Sequence, residues 1–230
     1  LVGTPNAGAP GSFIQLVKGM DIGRPILPHY PPELVGTFPS VYELMPRVRH
    51  GAIAWDDDPE NKVTNLYDPK LWQENEWGLA MRDEDNAVML RLLLPDARDD
   101  AERRRIALDY QALLLRRAET FHTALDRPAK LPNGLELFLV AGDAHKKTKK
   151  IVSVEPGNAE IETLEFASGD GVVLRSSALL DERIGGEWQP TLVTPIDWSS
   201  VMFLFAEHTQ ITQDPAFADN VLYWLMEDPR

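Results

Sequence analysis

Two residues in this sequence stand where acid–base chemistry could be done. Asp170 lies in Ser168-Gly169-Asp170-Gly171-Val172-Val173, a small turn between two apolar runs. His208 follows the run Val201-Met202-Phe203-Leu204-Phe205 and precedes a helix start at Gln213 or Asp214. Taken singly, each has a plain structural reading. Aspartate and glycine favour turns, and a lone histidine is commonly a surface or capping residue. Their joint placement, on loops after late strand-like runs, makes them a pair. A histidine near neutrality can take a hydroxyl proton and return it to a leaving group. An aspartate beside it fixes the ring tautomer and stabilises the imidazolium. The expectation is that Asp170 and His208 are the acid and base of a hydrolytic triad. The nucleophile is another matter, because no G-x-S-x-G occurs in the sequence. Ser12 begins a helix after a glycine-rich loop, yet its flanks do not form a sharp strand–serine–helix turn. Ser40 fares no better.

Other chemistries find less support. The remaining histidines are His29 among prolines, His50, His122 on a long helix and His145 in an expected hairpin turn. None has the paired spacing a zinc site needs. The absence of cysteine excludes disulfides, thiolate metal sites and cysteine nucleophiles. Asp56-Asp57-Asp58-Pro59-Glu60-Asn61 lacks the spacing and distal glutamate of an EF-hand and reads as a solvated loop. The glycine-rich stretch 3–12 ends in no Gly-Lys-Ser/Thr and carries no G-x-G-x-x-G. No metal and no cofactor is expected. Acids outnumber bases 36 to 23, for a net charge of −13, which argues against nucleic acid as a partner. Lys146, Lys147, Lys149 and Lys150 form the one basic cluster and read as a solvated hairpin end. No apolar run approaches the ~20 residues of a bilayer span. A soluble chain is expected, with at most peripheral membrane contact.

The elements that must position the pair follow from pattern. Leu1-Val2 reads as a strand end entering a Gly/Pro-rich loop, with Ser12 capping a helix through Val17. Residues 21–36, with Pro25, Pro28, Pro31 and Pro32, read as an extended connector. Pro39 and Pro46 bracket a short helix with Val41, Leu44 and Met45 on one face. The pattern loosens from Arg47 to about Leu94, with a helix start at Asp68; Trp72 and Trp77 read as core rather than as cover for a substrate. Asp96 caps the clearest helix, which runs to Leu125 and presents Ile106, Tyr110, Leu113, Leu114, Ala118 and Phe121. Leu135 to Val140 suits a buried parallel strand. Residues 150–155 and 159–166 alternate around Pro156-Gly157-Asn158 as a hairpin. A short helix near Ser176–Leu180, an irregular stretch from Gly185 to Pro195, a strand at Val201–Phe205 and a last helix with Phe217, Val221, Leu222 and Leu225 inward complete the chain.

Four segments then carry a resemblance. Leu1-Val2-Gly3-Thr4-Pro5-Asn6-Ala7-Gly8 resembles the G-T-P-x-x-G segment that follows the nucleophile helix in lipases. Phe38-Pro39-Ser40-Val41-Tyr42-Glu43-Leu44-Met45-Pro46 resembles the P-S-x-Y-x-L-L-P segment of lecithin:cholesterol acyltransferase-like proteins. Gly169-Asp170-Gly171-Val172-Val173 resembles that family's G-D-G-T-V acid loop, with Val172 in place of its threonine. His208, followed by an Asp-Pro helix start, resembles its histidine.

The resemblance implies an α/β fold. It would be the C-terminal part of an α/β-hydrolase, a mostly parallel sheet flanked by helices, with an inserted helical cap. Residues 1–46 and 127–230 would form the core and 47–126 the cap. The implied activity is serine-dependent hydrolysis or acyl transfer on an ester, with a lipid as the expected substrate. Asp170 and His208 would belong to a Ser-Asp-His triad. The chain opens in what reads as a buried strand end, so the serine is expected N-terminal to Leu1. The partner is then the missing N-terminal half of the hydrolase domain, in the same polypeptide or a separate chain. The alternative is a non-catalytic α/β-hydrolase-like module used for binding or assembly.

Overall fold

The computed structural model describes residues 1–21, 29–183 and 192–227. The chain divides into two compact units. One contains Pro10–Asp126 and Ile151–Leu164; the other contains Leu1–Ala9, Arg127–Lys150 and Glu165–Arg230.

The first of these is mainly helical. It holds α1 (Pro10–Lys18), the antiparallel pair β1 (Met20–Asp21) and β2 (His29–Tyr30), α2 (Pro32–Val35), α3 (Pro39–Glu43), β3 (Ile53–Trp55), α4 (Pro69–Glu74), α5 (Glu84–Leu93) and α6 (Asp100–Leu125). Start signals are local. Proline occupies the first turn of α2, α3 and α4. Asp68, Asp83 and Asp99 cap α4, α5 and α6 by accepting backbone N–H bonds. Trp72 and Trp77 are fully buried beside Phe13 and Tyr42. Their rings meet edge-on at 5.8 Å. The Nε1 of Trp72 donates to Leu66 O and that of Trp77 to Asn158 O, so neither leaves a polar atom unpaired.

Several details differ from the pattern. Helix α1 starts at Pro10, and Ser12 lies inside it, donating to Leu44 O instead of capping. On α3 the apolar face is shifted: Tyr42 and Met45 are buried while Leu44 is exposed. Helix α5 fills part of the loosely patterned stretch; it buries one apolar side chain, Leu90, and an asparagine, Asn86, which is too little to show as periodicity. Helix α2 interrupts the expected connector, of which 22–28 lies outside the described residues. The long helix is capped by Asp99, not Asp96, and its inward stripe is Ala107, Gln111, Leu114, Leu115, Ala118 and His122. Tyr110, Leu113 and Phe121 are exposed. Polar Gln111 and His122 can face inward because Gln111 donates to Trp77 O and His122 bonds Glu43 O and Tyr67.

The second unit is built on parallel strands. β4 (Phe138–Gly142) pairs in parallel with β7 (Ser200–Leu204), from Phe138 opposite Ser200 to Gly142 opposite Leu204. Val2 bridges Val140 in parallel on the other side of β4. Side chains alternate across this small sheet. Leu139, Ala141 and Phe203 join Val173 and Ala178, the latter from α7 (Arg175–Leu179). Val140, Met202 and Leu204 join Ala206, Ile211, Phe217 and Trp224, the last two from α8 (Pro215–Met226). Apolar cover on both faces is what a short parallel sheet requires. The first strand starts later than its apolar run because Pro132–Leu135 closes a turn, Leu135 N donating to Pro132 O. On α8 the inward side chains are Phe217 and Trp224; Leu222 and Leu225 are 58% and 72% exposed.

β5 (His145–Val154) and β6 (Ile161–Gly169) are hydrogen-bonded neighbours that contribute to both units. The link 155–160 is too short for anything but an antiparallel return. In the helical unit β5 pairs in parallel with β3, Ile53 opposite Val152. The lysine cluster is exposed, but it lies on β5 and not at a hairpin end, with buried Thr148 breaking the run. Of the expected irregular stretch from Gly185, residues up to 191 lie outside the described ones. The chain is thus mixed α/β, with small, partly parallel sheets flanked by helices. No helix among the described residues is long and apolar enough to cross a membrane.

Candidate functional site

The parallel pairing of β4 and β7 puts the ends of both strands on one edge of the sheet, and the Asp170 loop closes over it. The loop is held by its own backbone. Asp170 N donates to Val173 O, and Asp170 Oδ1 accepts from Val172 N at 3.0 Å and Val173 N at 2.6 Å. Thr148 Oγ1 accepts from Gly171 N at 3.0 Å. Two glycines are required by space. A Cβ on Gly142 would lie 2.3 Å from Ala206 O and 2.7 Å from Asp170 Cβ; one on Gly169 would lie 2.2 Å from Val173 O. The last residue of β4 therefore lets the acid loop and the segment after β7 approach over its end.

That approach brings the two sequence-predicted residues together. His208 N donates to Asp170 O at 3.0 Å, and His208 Nδ1 lies 2.8 Å from Asp170 Oδ2. The Asp170 side chain is 1% exposed and that of His208 34%. An ionised carboxylate only accepts, so Nδ1 carries the shared proton and neutral His208 keeps a lone pair on Nε2. Gly3, next to the bridging Val2, sits against the ring: a Cβ there would lie 3.4 Å from Cε1.

The electrostatics fit a charged acid and a strengthened base. The hydrogen bond to Asp170 raises the His208 pKa above the ordinary imidazole value, partly offset by burial. Burial alone would raise the Asp170 carboxyl. The hydrogen bonds from His208, Val173 N–H and Val172 N–H outweigh it and hold the group below the usual carboxylate value. In chemical terms, the arrangement can accept a proton at Nε2 and stabilise the resulting imidazolium.

Side chains that pattern did not single out support these loops. His145 Nε2 lies 3.1 Å from Glu207 Oε1. Asp143 Oδ2 pairs with Arg175 Nη1 at 3.2 Å, and that guanidinium lies over the Phe203 ring at 4.7 Å. Thr148 had one visible signal, an uncharged residue interrupting four lysines.

The other candidates serve elsewhere. Ser12 is buried with its hydroxyl on Leu44 O. His122 Nε2 donates to Glu43 O at 2.8 Å, which leaves Nδ1 to accept from the Tyr67 hydroxyl at 2.5 Å. Burial, then the nearby Arg47, push His122 down to about 4, so it stays neutral as part of the helical unit's core. His29 Nδ1 meets Asp21 Oδ1 at 2.9 Å, an acid–imidazole contact too, but that carboxylate is 81% exposed. Among the described residues no three potential metal-ligating side chains cluster.

No family model matches this chain, and no curated protein matches it. One solved structure that does resemble it is titled "The crystal structure of Tle4-Tli4 complex". The likeness has a TM-score of 0.61 at 12% identity, over 97% of this chain and 53% of that one. The chain spans about half the length of that solved chain, and at this identity the likeness is one of fold.

Proposed function

We propose that this chain is the acid- and base-bearing part of an α/β-hydrolase that acts on an ester through a Ser-Asp-His triad. The observation that carries the reading is the 2.8 Å contact between His208 Nδ1 and Asp170 Oδ2, with the carboxylate buried and Nε2 available. Asp170 is the triad acid, and His208 is the general base for each nucleophilic attack and the general acid for each departing group. A serine hydroxyl gives its proton to Nε2 as its oxygen attacks the ester carbonyl. The imidazolium then protonates the departing alkoxide. Water or an alcohol resolves the acyl-enzyme, giving hydrolysis or acyl transfer. Lipid as the substrate class rests on the resemblance of the four sequence segments. The reading of 47–126 as a cap rests on the same resemblance.

The serine belongs to the part of the hydrolase outside residues 1–230, the partner of this chain. Leu1 O accepts from Val140 N and Gly3 N donates to Val140 O, so the N–H and C=O of Val2 face away from β4. A further parallel strand laid on Val2 would run ~4.8 Å away. It would end beside Gly3, whose Cα approaches the His208 ring. That is a suitable site for an elbow serine.

The test uses the polypeptide that joins residues 1–230 to the serine-bearing part. A fluorophosphonate probe is expected to label it, His208→Ala to abolish ester turnover, and Ser12→Ala to leave turnover intact. Normal hydrolysis by His208→Ala overturns the proposal. Failure of the wild-type polypeptide to label or turn over would instead support a non-catalytic binding or assembly module.

A further inference from the structure

We propose that His145 is a positioning residue, clamping the loop of His208 to the loop of Asp170 through a close contact of its ring with the Glu207 carboxylate and a packing contact with Gly171. The inference rests on the proposed triad and adds a residue that acts through it. His145 opens β5, so its backbone is fixed by the strand, while its ring reaches the loops that follow β6 and β7. On one side it covers Gly171: a Cβ there would lie 3.2 Å from His145 Cδ2, and Gly171 has φ +95°. At its tip, Nε2 lies 3.1 Å from Glu207 Oε1. Gly171 is the residue after the acid and Glu207 the residue before the base.

Glu207 is placed to do otherwise. It is the N-cap residue of the 3-10 turn His208–Gln213, yet its side chain makes no capping bond. Its carboxylate goes to His145 instead. Below the contact, buried Thr148, three residues along the same strand, accepts from Gly171 N. One strand thus holds the acid loop twice, at Thr148 and at His145, and the base loop once. Proton transfer depends on registration of acid and base within a fraction of an ångström, so side chains that touch both loops influence it without meeting the substrate.

Both partners are partly exposed, which keeps the contact weak as a contribution to stability. Its expected effect is therefore on alignment and not on folding. The titratable and charged groups of these loops are Asp170, His208, Glu207, His145 and the Asp143–Arg175 pair. Loosening the clamp lengthens the bond between His208 and Asp170, the contact that raises the His208 pKa.

The experiment is the NMR titration of His208 in the wild type, His145→Ala, Glu207→Ala, the double variant and His145→Gln, whose amide is able to reach the Glu207 carboxylate. It is followed by steady-state kinetics in the complete hydrolase. Both single alanine variants should lower the His208 midpoint and reduce kcat on the order of tenfold with KM unchanged. The double variant should be no worse than either single one, and His145→Gln should restore both readouts. An unmoved His208 midpoint in both single variants overturns the clamp, as do additive losses in the double variant. The midpoint is read without turnover, so failure of the clamp is distinguishable from failure of the triad, which His208→Ala tests separately.

Discussion

Replacing Asp170 by asparagine tests the site at the atom on which the mechanism turns. The wild-type carboxylate has two tasks. Its Oδ1 accepts from the N–H groups of Val172 and Val173, and its Oδ2 accepts from His208 Nδ1–H. Asparagine can keep only the first set, because its one oxygen must stay on the two backbone donors. Its amide nitrogen then faces His208. Two donors cannot share a hydrogen bond, so the neutral imidazole must give up its Nδ1 proton and carry it on Nε2. The lone pair that would receive the serine proton is thereby removed with little change in shape. Loss of one charge-assisted hydrogen bond should cost about 1.5–3 kcal/mol of stability. Loss of the base tautomer should cost about 10^4-fold in kcat. The assay has two arms. Nitrogen-15 NMR of the histidines should find Nδ1–H in neutral wild-type His208 and Nε2–H in Asp170→Asn, with a lower midpoint in the variant. Turnover of a p-nitrophenyl ester by the proposed complete hydrolase should fall by the stated factor. A neutral wild-type His208 protonated at Nε2 would refute the structural reasoning. A variant within tenfold of wild-type kcat would refute the functional reasoning while leaving the hydrogen bond intact.

Further expectations follow from single positions. The pH profile of kcat/KM for the complete hydrolase should have its acid limb above the ordinary imidazole value of 6.5, because His208 is raised and must be neutral to act; a limb below that value would contradict it. His122 is pushed down to about 4 from 6.5, so the unfolded chain binds its proton first. Its contribution is complete above pH 6.5 and is lost as pH falls through 4, about 3 kcal/mol across the window. Urea titrations of wild type and His122→Gln should therefore show a smaller acid dependence in the variant, and equal slopes would contradict the assignment. Gly142→Ala should abolish turnover and lower Tm, since its Cβ would meet Ala206 O at 2.3 Å; wild-type Tm would show that the two loops do not close over β4 as described.

How legible this protein was depended on whether a residue's role is local. Some helix starts were readable from a proline or an aspartate acting within one turn, as at Pro39 and Asp68, whereas those at Pro32, Asp83 and Asp99 were not. Asp170 and His208 could be paired because each follows a strand-like run, and the structure brings them to a 2.8 Å contact. Inward faces were less legible. The stripe of α6 differs from the hydrophobic one because Gln111 and His122 are buried with partners 34 and 79 residues away, Trp77 O and Glu43 O. Hydrophobicity scores such residues as solvent-facing, whereas a satisfied hydrogen bond removes most of the cost of burying them. The same logic hides the supports of the site. Thr148, His145 and Glu207 matter through Gly171 and through one another, across loops distant in sequence. A pattern read along one strand cannot register a partner on another. Identity and order can nominate an acid and a base from sequence, but only the strand ends reveal what holds them in register. The residues that tune such a pair are therefore those a sequence conceals best, which makes the His145 contact the more informative place to perturb once Asp170 and His208 have been tested.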